Sequence, residues 1–158
     1  MKSAPGIEVE LQVATAEHGL PGETEFATWA ATALDFCGRP AGVRMTVRLV
    51  DDEESRTLNE NFRGKGGATN VLAFSGSGQE EMLPEAEREF GDLVICVPVV
   101  RREAREQEKE FFSHMAHLVV HGTLHLAGHD HDNERNALRM EELEVQVLDH
   151  LGFPDPYE

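Results

Sequence analysis

Histidines are concentrated in one segment of this 158-residue chain. His121 and His125 stand four positions apart, so on a helix they would lie on the same face and could present two imidazoles to one ion. Gly128 follows, and glycine often ends a helix because it enters the left-handed conformation at little cost. Beyond that turn, His131 can supply a third imidazole. Three protein ligands with a fourth position open are typical of a catalytic zinc rather than a structural one.

Six of the eight histidines fall in this stretch, so the choice of ligands needs an argument. They are His114, His117, His121, His125, His129 and His131. Helical residues eight positions apart are separated by about 12 Å along the axis, so His117, His121 and His125 cannot all meet at one ion. The pair nearest Gly128 is therefore favoured. We interpret His114 and His117 as hydrogen-bonded residues of the core.

The spacing does not decide the identity of the third ligand. His129 also follows Gly128, so it competes with His131 for the ion. Asp130, which lies between them in sequence, can bind the metal itself or orient one of the metal ligands through a hydrogen bond. The sequence therefore predicts His121 and His125 as ligands with His131 as the third, and leaves His129 and Asp130 as alternatives.

The same histidine spacing, with a glycine three positions after the second histidine, is shared with the metzincin proteases. Those enzymes use a glutamate directly after the first histidine as general base. In this chain that position is Gly122. The motif thus lacks the carboxylate that would activate water for peptide hydrolysis, which disfavours a peptidase.

The composition is that of a soluble globular protein, with 40% hydrophobic and 28% charged residues. At this length we expect one domain spanning residues 1–158. The net charge of -16 argues against nucleic-acid binding by the whole surface, so a polyanion must find a local basic site.

Cys37 and Cys96 lie in apolar surroundings, as expected of buried reduced thiols. Without an apolar leader or membrane span, we expect a cytoplasmic protein with no membrane partner.

Four segments have the character of strands. Apolar and polar residues alternate over Ile7–Val13 and Val43–Val50, the period of a half-buried strand. Asn70–Phe74 and Asp92–Val97 are short apolar runs, and we expect them to be central strands, the second closed by Pro98. The acidic segment Gly76–Gly91 between them is predicted to be a solvated loop or short helix.

Five segments have helical patterns. Phe111 to Ala127 is almost continuously apolar between its histidines, which predicts a central, buried helix. The final helix is capped by Asp132 or Asn133 and carries an apolar stripe. The predicted helices run from a Thr24 cap to Gly38, from Asp51 or Asp52 to about Phe62, from Val99 to about Glu110, from Phe111 to Ala127, and from the final cap to Leu151.

Two upstream segments and the histidine motif together resemble a known family. One is Asn61–Phe74, which contains Thr69-Asn70-Val71-Leu72, and the other is Gly91–Ile95. These motifs are similar to those of the YbeY family of bacterial rRNA maturation factors, which are regarded as metal-dependent endoribonucleases. The resemblance runs in order from about Val43 to Leu151.

This resemblance implies a single α+β domain in which five to six helices surround a four-stranded mixed sheet. It implies one zinc ion held by His121, His125 and His131, although imidazole sites also accept other divalent transition metals. The implied activity is cleavage of single-stranded RNA in rRNA maturation and ribosome quality control. The implied partners are rRNA and the small ribosomal subunit or assembly proteins. His129 or Asp130 would relay a proton if the ribose 2′-hydroxyl attacks.

The family's functionally important arginine falls on Arg63. Phosphodiester cleavage develops negative charge on the non-bridging oxygens, and a metal ion with an adjacent guanidinium stabilises that charge. The planar fork of Arg63 matches two phosphate oxygens. Lys65 and Arg56 are further candidates for RNA binding. A third group of basic residues is interpreted as solvated surface charge, namely Arg101, Arg102 and Arg105.

Two other classes of function stay open at this point. One is a zinc hydrolase of peptides or small substrates, which the open metal site and acidic surface favour and Gly122 opposes. The other is a ribosome-assembly factor that binds a protein partner and uses the zinc as a structural clamp. Metal content and RNA cleavage distinguish these classes from a nuclease.

Overall fold

The structure, a computed structural model, describes residues 7–38, 43–75, 89–128 and 133–157. In these ranges five helices surround a four-stranded sheet. In chain order the elements are β1 (Ile7–Ala14), α1 (Glu23–Phe36), β2 (Val43–Val50), α2 (Asp52–Arg63), β3 (Val71–Ser75), β4 (Glu89–Cys96), α3 (Val97–Glu106), α4 (Phe111–Leu126) and α5 (Glu134–Leu151). All four strands and all five helices that the sequence predicts are present.

The sheet contains both kinds of strand pairing. Its order is β1-β2-β4-β3, so β4 is central as predicted, whereas β3 lies at one edge and the prediction of a central strand there is wrong. The strands β1, β2 and β4 run parallel to one another, and β3 runs antiparallel to β4. These pairings confirm the predicted α+β fold with a mixed four-stranded sheet. The extent of the domain over residues 1–158 stays a prediction.

Helices cover both faces of the sheet. Because side chains alternate along a strand, Val71 and Ala73 of β3 face the larger apolar cluster, which includes residues of α1, α4 and α5. Leu72 and Phe74 face the smaller cluster, to which α2 contributes Leu58. As a result, α4 and α2 lie on opposite faces of the sheet and both approach its β3 edge.

Helix α4 is the central buried helix that its apolar sequence predicts. More than half of its residues are buried, including Met115, Val119 and Leu124, which are fully buried. It packs against α1, α5, β3 and β4. The histidines of α4 are therefore carried on a helix whose position is fixed from several sides.

Several predicted element boundaries were wrong. Thr24 does not cap α1; Gly22 is the N-cap, and the Glu25 carboxylate accepts the Gly22 N–H at 2.9 Å. Pro98 does not close a strand but lies in the first turn of α3, where a missing N–H costs no helical hydrogen bond. That helix ends at Glu106 rather than about Glu110, because the chain turns at Glu108, whose φ is 54°.

Other boundaries agree with the sequence. Asn133 caps α5, with its side-chain oxygen accepting the Asn136 N–H at 2.9 Å. By contrast, the start of β4 was predicted wrongly, because Glu89–Gly91 belong to this strand rather than to the predicted loop Gly76–Gly91, the rest of which lies outside the described residues. Cys37 is half-buried and Cys96 is buried, both as thiols. None of the helices in the described ranges is long and apolar enough to cross a membrane.

Gly91 in β4 allows a close approach of backbone and helix. A Cβ atom there would lie 2.7 Å from the Phe74 carbonyl oxygen and 2.8 Å from Leu126 Cδ2. We expect Gly91→Ala to lower the free energy of unfolding by about 1–3 kcal/mol through overpacking, measured by urea denaturation. Gly66→Ala is the matched control, because a Cβ at Gly66 meets nothing within 4 Å. Equal effects of the two substitutions would contradict this interpretation.

Candidate functional site

The helix that carries the histidines ends where the sequence predicts. The C-cap of α4 is Ala127, and Gly128 takes a φ of +104°, a conformation that L side chains rarely adopt. His121 and His125 both line a cavity of about 720 Å³. His129, Asp130 and His131 lie outside the described residues, so the third ligand stays a prediction. In the part of the chain that the structure describes, no three potential ligands are grouped around one point.

A buried carboxylate lies behind the histidines. Glu144 of α5 is 0% exposed, and its two oxygens contact two different residues of α4. Oε1 is 2.8 Å from His117 Nε2, and Oε2 is 2.8 Å from His121 Nδ1. The Tyr157 hydroxyl also donates to Oε1. Glu144 thus holds both imidazoles and the phenol in one hydrogen-bonded network.

The charge of Glu144 is stabilised by these contacts. Burial alone would raise the pKa of Glu144, but hydrogen bonds from His117 and His121 and from Tyr157 outweigh it and lower the pKa to about 2. Burial and the neighbouring Glu144 carboxylate raise the pKa of Tyr157, so this residue stays a hydroxyl donor. The carboxylate is therefore ionised at neutral pH and accepts from all three groups.

This network sets the tautomer of His121. Because an ionised carboxylate can only accept, Nδ1 of His121 carries the proton and the lone pair is on Nε2. Ligating histidines in metalloproteins characteristically donate their other ring N–H to a carboxylate in this way. The donor chemistry around His121 therefore fits a metal ligand.

His114 has the core role that the sequence predicts, whereas His117 is hydrogen-bonded as predicted but only half-buried. His114 is buried, and its Nε2 is 2.9 Å from Glu103 Oε1. Burial lowers the pKa of His114, against the opposing effect of Glu103. The same Glu103 carboxylate accepts from Asn70 Nδ2 at 3.0 Å, so His114 indirectly fixes Asn70. His117 is bound to Glu144 and also forms part of the cavity wall.

Arg63 enters the same cavity from the other side of the sheet. It is the last residue of α2, which ends at Gly64 with a φ of 68°. Its exposed side chain lines the cavity together with the edge strand β3 and the histidines of α4. The structure therefore brings together Arg63, His121 and His125, as the sequence predicts, although some sixty positions separate the arginine from the histidines.

Side chains of helix α2 form hydrogen bonds with the loop that follows Arg63. Ser55 Oγ donates to the Thr69 carbonyl and accepts the Thr69 N–H, both at 2.9 Å. Asn59 Nδ2 donates to the Gly67 carbonyl at 2.9 Å. These bonds connect the middle of α2 to the segment that enters β3. They fix the end of the helix, and with it Arg63, relative to the sheet edge.

Arg63 is the fixed positive charge in the described wall of the cavity, and the ionised Glu144 lies behind two of the histidines. Among the described residues that line it, none is an aspartate or glutamate, and Arg63 is the one that is always cationic. No carboxylate in the described ranges forms an ion pair with Arg63. In a chain of net charge -16, the described wall of this cavity thus carries a fixed positive charge without an ion-pair partner in the described ranges.

Comparison with known proteins identifies the family of this chain. Residues 12–152 match the family model described as Endoribonuclease YbeY. The chain belongs to the YbeY family. It is 47% identical to the Endoribonuclease YbeY of Alkalilimnicola ehrlichii, over 99% of this chain and 95% of that one. It is also 47% identical to the Endoribonuclease YbeY of Pseudomonas savastanoi pv. phaseolicola, over 96% of this chain and 88% of the relative.

A solved structure shows the same fold at lower sequence identity. The solution structure of TM1509 from Thermotoga maritima superposes with a TM-score of 0.56 and 22% identity. The match covers 94% of this chain and 99% of that one. The arrangement of helices around the sheet is thus shared over nearly the whole length of both proteins.

The other basic residues do not extend the cavity of this YbeY-family member. Arg56 and Lys65 are exposed, but neither lines it, and their role in RNA binding stays a prediction. Arg101 pairs with Glu17 at 2.9 Å and stacks on Phe111. Arg102 lies 3.8 Å from Asp52. Arg101 and Arg102 thus have surface partners, in agreement with their interpretation as surface charge.

Gly122 is needed for the packing of α4 on the sheet. It is buried, and a Cβ there would lie 2.6 Å from Cδ2 of Leu93, which is itself fully buried. A side chain at this position would require Leu93 to move. The protease-type general base is absent from the sequence, at a position where a Cβ would already meet a core residue.

Sequence reasoning missed two residues of the site, Glu144 and Tyr157. A signal for Glu144 was available, because it lies on the same helical stripe as Met140 and Val147 and a carboxylate on a buried stripe needs partners. Tyr157 follows the last helix and has no periodic context. Its role is visible only in the folded protein.

Proposed function

We propose that this protein is a metal-dependent endoribonuclease that cuts single-stranded RNA in rRNA maturation and ribosome quality control. The observation that carries the proposal is the shared cavity, in which Arg63 faces His121 and His125 across the β3 edge. Membership of the YbeY family and the names of the two relatives support RNA as the substrate.

His121, His125 and His131 are proposed to hold one zinc ion or another divalent transition metal. The fit rests on His121, whose Nδ1–H donates to buried Glu144 and whose lone pair is on Nε2. When bound, the metal supplies a Lewis acid that neutralises charge on a phosphate oxygen. Glu144 keeps the imidazole of His121 in a fixed orientation, so that its Nε2 is available to the metal.

Arg63 is proposed to bind the non-bridging oxygens of the scissile phosphate. Its guanidinium has a fixed charge and a planar pair of N–H donors, and hydrogen bonds to the loop hold the end of its helix. The guanidinium would stabilise the negative charge that develops on those oxygens. His129 or Asp130 is the proposed proton relay.

The proposed partners and location follow from the substrate. Single-stranded rRNA and the small ribosomal subunit or its assembly proteins are the expected partners, and the cytoplasm is the expected location. A peptide hydrolase is disfavoured because Gly122 stands at the position where such an enzyme carries its general base. No feature of the cavity favours a peptide over an anion.

The test is elemental analysis of protein purified without added metal, followed by RNA cleavage before and after chelation. We expect one zinc per chain, loss of cleavage on chelation and recovery when zinc is restored. Analysis of the product ends then identifies the chemistry, because 5′-phosphate ends exclude attack by the ribose 2′-hydroxyl. If fully zinc-loaded protein cuts no RNA, the assembly-factor function with a structural zinc is correct instead.

A further inference from the structure

Phe62 is an exposed aromatic residue at the edge of the candidate site. It lies in the last turn of α2, directly before Arg63, and is 66% exposed. It contributes to the wall of the cavity that contains Arg63 and the histidines. An aromatic ring beside an anion-binding arginine is the combination with which proteins bind single-stranded nucleic acids.

The ring of Phe62 is held in place without a ligand. It meets Phe74 of β3 edge to face, with ring centroids 5.5 Å apart and an interplanar angle of 77°. Phe74 is packed against the smaller apolar cluster, and Asn59 ties the end of α2 to its loop. A ligand that stacks on Phe62 therefore meets a ring that already has a packing contact, on a helix end that is hydrogen-bonded to its loop.

A second cavity adjoins the same ring. This cavity, of about 380 Å³, lies on the α2 side of the sheet and shares Phe62 and Phe74 with the first one. Leu58 and Val94 form an apolar part of its lining. The rest of the lining is polar and consists of Gln12, Thr46, Arg48, Glu54 and Asp92. Arg48 is held there by Glu54 at 2.7 Å and Gln12 at 3.0 Å. The space beside Phe62 thus suits a flat group with a polar edge.

We propose that Phe62 is a stacking platform for a base of the RNA strand, next to the phosphate that Arg63 binds. This inference rests on the proposed function and adds the residue that selects single strands. Bases in a duplex are already paired and stacked, so they cannot turn out onto the ring without disrupting the helix. Only an unpaired strand can place a base on Phe62 and its phosphate on Arg63 together.

The test is binding of a single-stranded 2′-O-methyl oligonucleotide that carries 2-aminopurine, whose fluorescence is quenched by stacking. We expect Phe62→Leu to weaken binding about tenfold or more and to lose part of the quenching. Phe62→Trp should bind at least as tightly as the wild type, because its ring is larger. The matched control is Phe36→Leu, since Phe36 is an exposed aromatic at 39% that lines neither cavity.

Cleavage assays separate this inference from the proposed function. With Phe62→Leu we expect a higher KM for single strands and a smaller preference over the annealed duplex, at an unchanged melting temperature. If Phe62→Leu binds and discriminates like the wild type, the stacking inference is wrong even though the protein is a nuclease. If the wild type binds the oligonucleotide through Phe62 but cuts no RNA, the nuclease function is wrong while the stacking inference holds.

Discussion

Arg63→Ala is expected to lower the rate of RNA cleavage by about 100- to 1000-fold, the usual effect of removing one preorganised group that stabilises transition-state charge. The substitution should affect only the chemical step and the binding of the phosphate, and not the fold or the metal. Arg63 is exposed and forms no ion pair with a carboxylate in the described ranges, so its removal leaves no buried group unsatisfied. Metal content and melting temperature should therefore equal those of the wild type. Single-turnover cleavage and elemental analysis of the same preparation measure both quantities.

Two further variants sharpen this experiment. Arg63→Lys keeps the positive charge but loses the planar pair of donors, so we expect only partial recovery of the rate. His125→Ala should lose metal and cleavage together, because it removes a proposed ligand rather than a phosphate contact. If Arg63→Ala also lost its metal, or if it cleaved RNA at the wild-type rate, the assignment of Arg63 to the phosphate would be wrong.

Glu144→Gln should weaken metal binding by about 10- to 100-fold, although Glu144 is not a proposed ligand. The amide has nearly the same shape as the carboxylate but only one accepting oxygen, whereas Glu144 accepts from His117, His121 and Tyr157. At least one N–H or O–H would therefore face the amide nitrogen. Competition with a chromogenic chelator measures the metal affinity of the variant.

The same substitution should reduce the stability of the metal-free protein. A buried donor left without an acceptor lowers the free energy of unfolding by about 1–3 kcal/mol. Urea denaturation of the protein after a chelator has removed its metal would detect this loss. Glu142→Gln is the matched control, because Glu142 is exposed on the same helix. Tyr157→Phe removes one of the three donors and should have a smaller effect than Glu144→Gln. Wild-type metal affinity and stability in Glu144→Gln would refute the role of the network.

The fold was largely predictable because its elements have clear periods. The alternating pattern of Ile7–Val13 matches β1 almost to the residue, and the apolar run from Phe111 to Ala127 matches α4. Errors occurred where a local contact competes with the pattern. The bond from Gly22 to Glu25 moved the start of α1, and the fixed φ of Pro98 suits a helix start as well as a strand end.

The site was predictable only in part, for a physical reason. His121 and His125 share one helix, so their spacing in sequence determines their spacing in space. Arg63 lies near these histidines because the order of the strands in the sheet places the end of α2 beside α4. Sequence periodicity does not determine that order, so Arg63 was predicted from the resemblance to a family. Glu144 belongs to a different helix, and its pairing with His117 and His121 depends on the packing of α5 against α4.

Two glycines let helix α4 pack closely on the sheet beside the cavity. Gly122 brings α4 against Leu93, and Gly91 lets the end of the same helix approach the sheet beside Phe74. A methyl group at Gly122 would require the Leu93 side chain to move, and one at Gly91 would meet the Phe74 carbonyl oxygen as well as Leu126. The closeness of α4 to the sheet beside the cavity thus depends on two positions that lack a side chain.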